Sequence, residues 1–209
     1  MMKSKLTKSI TVLLLFFNIS FFSKGADTLD YTVILNYYKD LSDTYGVRGS
    51  LFSGEFTLSR SWYGLSLSFG NFQSQSTYKF KFLIEEINET FEIPVEEMAI
   101  MQTSSISGFI RPIQQNWIDL DILIGTVYGY AKNSRFKSFD YVYNLEESKI
   151  TSFSRDYELI KKNHFGYQVG FTISLYPTKK IGFQISSRLQ DLSNGGTFFF
   201  VGGGLCFRL

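Results

Sequence analysis

Runs in which every second side chain is apolar recur eight times along this chain, and the positions between are mostly small or polar. Successive side chains of an extended strand point to opposite faces, so each run is a ribbon with one greasy face. The clearest spans 164–176, where Phe165, Tyr167, Val169, Phe171, Ile173 and Leu175 oppose Gly166, Gln168, Gly170, Thr172 and Ser174. Similar runs cover 29–38 (Leu29, Tyr31, Val33, Leu35, Tyr37), 46–58 (Phe52, Phe56, Leu58) and 62–72 (Tyr63, Leu65, Leu67, Phe69). Others cover 117–131 (Ile118, Leu120, Ile122, Ile124), 181–190 (Ile181, Phe183, Ile185, Leu189) and the stretch ending at Leu209. The run at 98–112 alternates poorly, and its faces are not assignable. Aromatic residues make up 18% of the chain and Pro only 3 positions, a composition suited to pleated surfaces.

The connections add a second pattern. Residues 59–61, 113–116 and 177–180 are tight turns, whereas 39–44, 73–97, 132–163 and 191–196 are the other set, two of them long. With eight strands, every tight turn falls at one end and every longer loop at the other, the asymmetry of a transmembrane barrel. Within the long loops, 78–82 and 90–95 flank a turn near Asn88, and 139–143 and 150–153 flank Glu146-Glu147-Ser148. Both are expected to be hairpin extensions.

Alternation alone does not say which face meets solvent, since a soluble sandwich has the same period with its apolar side inside. The opposite face decides. Gly64, Ser66, Ser68, Gly70, Gly166, Gly170, Gly182, Ser186, Gly202 and Gly204 fit a cramped lumen better than a solvated surface, which usually carries long Lys and Glu side chains. The greasy face is expected to meet lipid, with Trp62, Tyr63, Tyr176 and Phe207 in a belt at the turn end. A second belt would hold Tyr37, Phe72, Tyr128, Tyr130, Phe165 and Tyr167 at the loop end.

At the N-terminus, Lys3, Lys5 and Lys8 precede an apolar stretch from 10 to 22 and then Ser23-Lys24-Gly25. That is a signal-peptide pattern, and the stretch of about 13 residues falls short of the ~20 that span a bilayer as a helix. Residues 1–25 are expected to be the signal and 26–209 one barrel domain.

Signal, eight strands and a last strand closing on Phe207-Arg208-Leu209 resemble the small outer-membrane β-barrel proteins of Gram-negative bacteria, the group of the OmpA transmembrane domain and OmpX. The resemblance implies an all-β, eight-stranded antiparallel up-and-down barrel with extended outer hairpins. It also implies residence in the outer membrane among its lipids and lipopolysaccharide, and assembly by the barrel-assembly machinery reading Phe207 and Leu209, the latter in place of the commoner terminal Phe.

The residue chemistry is sparse. One Cys and one His rule out a disulfide framework or a Cys/His metal cluster, no cofactor motif is present, and a net charge of +2 gives no nucleic-acid footprint. Parity places Asp30, Glu55, Asp119, Asp121, Arg188 and Arg208 in the lumen, where a hydrogen-bonded charge network is expected, with Asp30 near Arg208 across the closure. His164 faces inward at the rim, without an assignable nucleophile, and is expected to bond water. Cys206 faces the lumen beside Arg208. Asp191-Leu192-Ser193-Asn194 is similar to the His-x-Ser-Asn motif of the lipid A deacylase PagL, but a carboxylate replaces the imidazole base. A non-enzymatic structural or surface-interaction role is therefore expected, with outer loops that could hold a surface ligand. A narrow pore is the alternative and a lipid A-modifying enzyme the next.

Overall fold

The computed structural model describes residues 29–42, 49–84, 87–144, 146–147 and 149–209; the expected signal at 1–25 lies outside them, as do 46–48 of the second expected strand. Eight strands follow in chain order: β1 (Leu29–Asp40), β2 (Gly49–Arg60), β3 (Tyr63–Ile84), β4 (Glu89–Gln114), β5 (Ile118–Asn144), β6 (Lys149–Leu175), β7 (Ile181–Leu192) and β8 (Gly196–Arg208). Each pairs antiparallel with its sequence neighbour, and β1 pairs with β8, from Thr32 opposite Arg208 to Asp40 opposite Phe200, closing the barrel.

Short turns at the β8-terminal end use the conformations that tight reversals demand. Ser61 adopts a left-handed φ of 53° between β2 and β3. At the loop end, Asn88 and Asn194 do the same at 54° and 56°, as suits a residue whose short polar side chain tolerates that region. Asn144 caps the β5–β6 turn, its Oδ1 accepting from the amides of Glu146 at 2.9 Å and Glu147 at 3.3 Å.

The two long connections are the strands themselves. β3–β4 and β5–β6 run 22 to 27 residues each, against 12 or 13 for β1, β2, β7 and β8, so they rise well beyond the barrel wall. β4 and β5 pair only up to Met98 opposite Ser134; above that the two hairpins are joined by rings rather than backbone. Phe80 packs on Phe136 and Phe139 at 5.3 and 5.4 Å between centroids, and Phe82 on Phe139 and Tyr141 at 4.5 and 5.5 Å. A β-bulge between Phe136 and Ser138 breaks the register there, and bulges re-aim the side chains beyond them.

The greasy face is outside. Phe171 and Ile185 are 49% and 61% exposed, whereas Gln184 and Arg188 are each 3% exposed and face the lumen. A continuous apolar band of this extent is rare on soluble monomers and fits acyl chains. Inside, glycines let the wall curve tightly: a Cβ on Gly202 would strike the Tyr37 carbonyl, and one on Gly204 the Asn36 side chain.

Two belt residues are corrected. Phe72 has inward parity on β3, opposite that of Phe69, and is buried in the lumen; Tyr176, one residue beyond outward-facing Leu175, turns into the barrel and closes its lower end. The poor alternation of β4 also has a cause. Met101 and Phe109 point inward while Gln102 and Ser104 point outward, and Pro112, which cannot donate to the ladder, sits in the bulge between Ile110 and Ile113.

Because the outer band meets hydrocarbon, Ile185→Lys should lower the stability of the inserted barrel by about 2–4 kcal/mol, as a cation near the bilayer midplane does. Urea titration of protein refolded into liposomes, followed by heat-modifiable gel migration, reads the loss; an unchanged midpoint would place this face away from lipid.

Candidate functional site

The lumen is filled in layers. At the lower end Arg111 holds Asp121 in a two-pronged pair, Nε to Oδ1 at 2.6 Å and Nη2 to Oδ2 at 3.1 Å. Its Nη1 lies 3.5 Å from Asp119, and Arg208 donates to the same Asp119 oxygen at 2.6 Å. Asp119 is thus shared by two guanidinium groups, and the Arg208 plane stacks on the Tyr176 ring at 3.5 Å. Such forked pairs are the strong form of charge-assisted hydrogen bond.

A second layer lies at mid-barrel. Arg188 pairs with Glu55, which also accepts from Ser66, and the guanidinium lies 5.3 Å from the centre of the Tyr38 ring. Around it Gln168 donates to Ser105 and Ser107 at 2.9 and 2.7 Å and accepts from Gln190 at 2.9 Å. Gln184 donates to Asn36 at 2.8 Å and accepts from the Cys206 thiol at 3.4 Å. These side chains come from every strand but β5 and bind the ring across its interior. Each ionic group of the two layers faces an opposite charge, which a low-dielectric interior requires.

Of the six residues expected in one network, five lie in these two layers: Asp119, Asp121 and Arg208 in the lower, Glu55 and Arg188 in the upper. Asp30 is corrected. It is exposed at the lower rim, where Thr32 rather than Asp30 is the register partner of Arg208, and Arg208 reaches across the lumen to Asp119 instead. Arg111, which completes the lower layer, was missed because the faces of β4 could not be phased. Its signal was present in the odd positions Ser105, Ser107 and Arg111, hidden by Met101 and Phe109 on the same face.

Above the ionic layers the lumen turns apolar. Tyr38, Leu51, Phe72, Met101, Val127, Ala131, Leu192 and Phe200 form a buried cluster, with Phe198 packed against it. Phe72 meets Phe198 and Phe200 edge-on at 5.3 and 5.9 Å, and Phe198 stacks on Phe200 at 5.7 Å.

Over this floor the barrel mouth opens as a cup of about 410 Å³. His164 lies in its wall, 5% exposed, with Nδ1 bonded to the Ser193 carbonyl at 3.0 Å. The Asp191–Asn194 stretch is the β7–β8 reversal: Ser193 donates its amide to Phe165 at 2.8 Å, and Asp191 accepts from Thr197 at 2.9 Å. Phe207 faces outward, half-buried between its partners Val33 and Ile181, and Leu209 is 80% exposed past the end of β8. Among the described residues no group of His, Cys, Asp and Glu has the arrangement of a metal site.

No protein-family model matches the chain, and no curated protein matches it. Solved structures do. Ail, the attachment invasion locus protein of Yersinia pestis, superposes with a TM-score of 0.50 and 13% identity over 88% of this chain and 100% of that one. Neisserial surface protein A gives 0.47 and 10%, over 89% and 100% of the two chains. The N-terminal β-barrel domain of Pseudomonas aeruginosa OprF gives 0.46 and 11%, over 86% and 97%. The likeness to Ail is one of fold: a small eight-stranded outer-membrane-type barrel.

Two outcomes are expected. Glu55→Gln or Arg188→Ala alone, leaving a buried charge without its partner, should cost about 3–5 kcal/mol of unfolding free energy, and the double change Glu55→Leu with Arg188→Met should recover most of it. Equal losses in single and double variants, measured by urea unfolding in bilayers, would contradict the pairing. In the extension, Lys81 and Lys79 hydrogen-bond Glu92 at 2.9 and 3.0 Å and hold its carboxyl down at about 2 against an ordinary 4.5. A depressed carboxylate stabilises the fold above its ordinary range and ceases to do so as pH falls from 4.5 toward 2. Carbon-detected NMR titration of Glu92 should show that low midpoint, and Lys79→Ala with Lys81→Ala should return it toward 4.5.

Proposed function

We propose that the protein is a non-enzymatic barrel of the outer membrane whose paired hairpins engage a partner at the cell surface. The observation that supports this best is the extension itself. A scaffold serving only to span the membrane has no use for strands of 22 to 27 residues, nor for an aromatic core of Phe80, Phe82, Phe136, Phe139 and Tyr141 outside the bilayer. That core makes the hairpins rigid, and rigid presentation lowers the ordering cost of binding. β6 pairs with β7 only from Gly166 opposite Leu192, so its length from Lys149 to His164 presents a free edge among the described residues. Such an edge can accept a partner strand, while Leu159 and Val142, each 59% exposed, offer apolar contact.

Residence follows from the outer band and from the fold. Lys132 and Lys161 are register partners on the outside of β5 and β6, just beyond Tyr128, Tyr130 and Phe165, where lipid or lipopolysaccharide phosphates lie. Cleavage of residues 1–25 on export, and recognition of the Phe207–Leu209 end by the barrel-assembly machinery, belong to the same reading. A pore is disfavoured by the aromatic floor stacked over two ion-paired layers. A deacylase is disfavoured by Asp191 standing in place of the required imidazole.

Photo-crosslinking from benzoylphenylalanine placed at Tyr157 or Leu159, on intact cells, tests it. Adducts to a surface molecule are expected from these positions, and none from Leu205 in the lipid band. Absence of adducts, combined with bilayer conductance altered by Arg208→Ala, would replace this reading with a pore.

A further inference from the structure

The cup at the outer mouth has a composition that a solvated rim does not need. Its floor is Phe72, Met101 and Phe198, a dry aromatic and thioether surface. Its walls carry two acids, Asp40 and Glu97, and two cations, Arg135 and Lys162. Hydrogen-bond accounting separates the two signs. Asp40 accepts from the amide and hydroxyl of Ser42 at 2.9 and 2.6 Å, and Glu97 accepts from the Phe136 amide at 3.2 Å and the Tyr78 hydroxyl at 3.4 Å. Arg135 and Lys162 have no carboxylate within ion-pair distance among the described residues, although both face the same space. Two cations without a carboxylate in ion-pair contact therefore face the cup. Asn133, whose buried Oδ1 has no hydrogen-bond partner in the protein, also lines the cup.

From this we infer that the cup is a binding site for a small amphipathic carboxylate whose ring or short chain rests on Phe72 and Phe198. The carboxylate meets Arg135 and Lys162, and a hydroxyl or amide hydrogen on the ligand would satisfy Asn133. A guanidinium fork matches a carboxylate two-pronged, and a volume of about 410 Å³ suits a ligand of roughly ten to twenty heavy atoms. Close packing of Gly195 on the His164 ring, where a Cβ would lie 2.8 Å from Nδ1, fixes the β7–β8 reversal as one wall. The inference is independent of what the hairpins bind.

The test uses the full barrel in lipid nanodiscs with methyl-labelled Met and Ala. Benzoate, 4-hydroxyphenylacetate and octanoate are titrated against the neutral 4-hydroxyphenylacetamide. Saturable shifts confined to Met98, Ala99, Met101 and Ala131 are expected for the acids, with the amide weaker by about tenfold or more. Arg135→Gln with Lys162→Gln should weaken the acids by about the same factor, with normal heat-modifiable migration showing that the variant is folded. If none of the three acids gives a saturable shift up to about 10 mM, the inference fails. It also fails if amide and acid bind alike, or if the double variant binds as well as the parent.

Discussion

The hydrogen bonds between β1 and β8 turn an eight-stranded ribbon into a ring, and every other feature presupposes that closure. In hydrocarbon an unpaired amide or carbonyl has no water to turn to, so a spanning sheet must leave no edge. Once the ring closes, its two faces lose their equivalence. The outside is a surface and can be uniformly greasy; the inside is a narrow volume that must be filled. Glycines at 202 and 204 are where the two demands meet, since side chains there would collide with β1.

Filling that volume follows a gradient along the barrel. The lower half is charged and the upper half is aromatic. Two arginines share Asp119, one of them also clasping Asp121, and a third arginine meets Glu55, so the ionic groups neutralise each other locally. Above them Phe72, Phe198 and Phe200 interlock edge-on and stacked. The aromatic layer shields the ion pairs from the outer mouth, and it also provides the floor on which a ligand in the cup would sit.

The hairpin extensions solve a different problem. Beyond Met98 and Ser134 the ring no longer holds the strands together, and isolated two-stranded ribbons are marginal in water. Two such ribbons packed ring against ring supply the third and fourth strands that stability needs. The bulge at Phe136 and Ser138 occurs just where barrel geometry gives way to this packing.

The strand count, the identity of the greasy face and the ends of the tight turns were legible in the sequence, because a period of two is a property of the chain itself and survives any closure. Phe171 among the greasy side chains and Gln184 on the opposite face follow from parity, and the small residues beside Gln184 mark that face as the enclosed one. Partnership was not legible. Asp30 and Arg208 lie near the same end of adjacent strands, yet Arg208 reaches Asp119 across the ring, a distance that depends on the radius and tilt of the closed barrel. Phe72 and Tyr176 were misjudged for a related reason: an aromatic at a strand end suits an interface or a lumen equally well, and only the folded ring shows which space needed filling. Sequence periodicity determined which way each ribbon faces; the closed tertiary ring decided which side chains meet, since contacts across a lumen join residues that no local pattern connects.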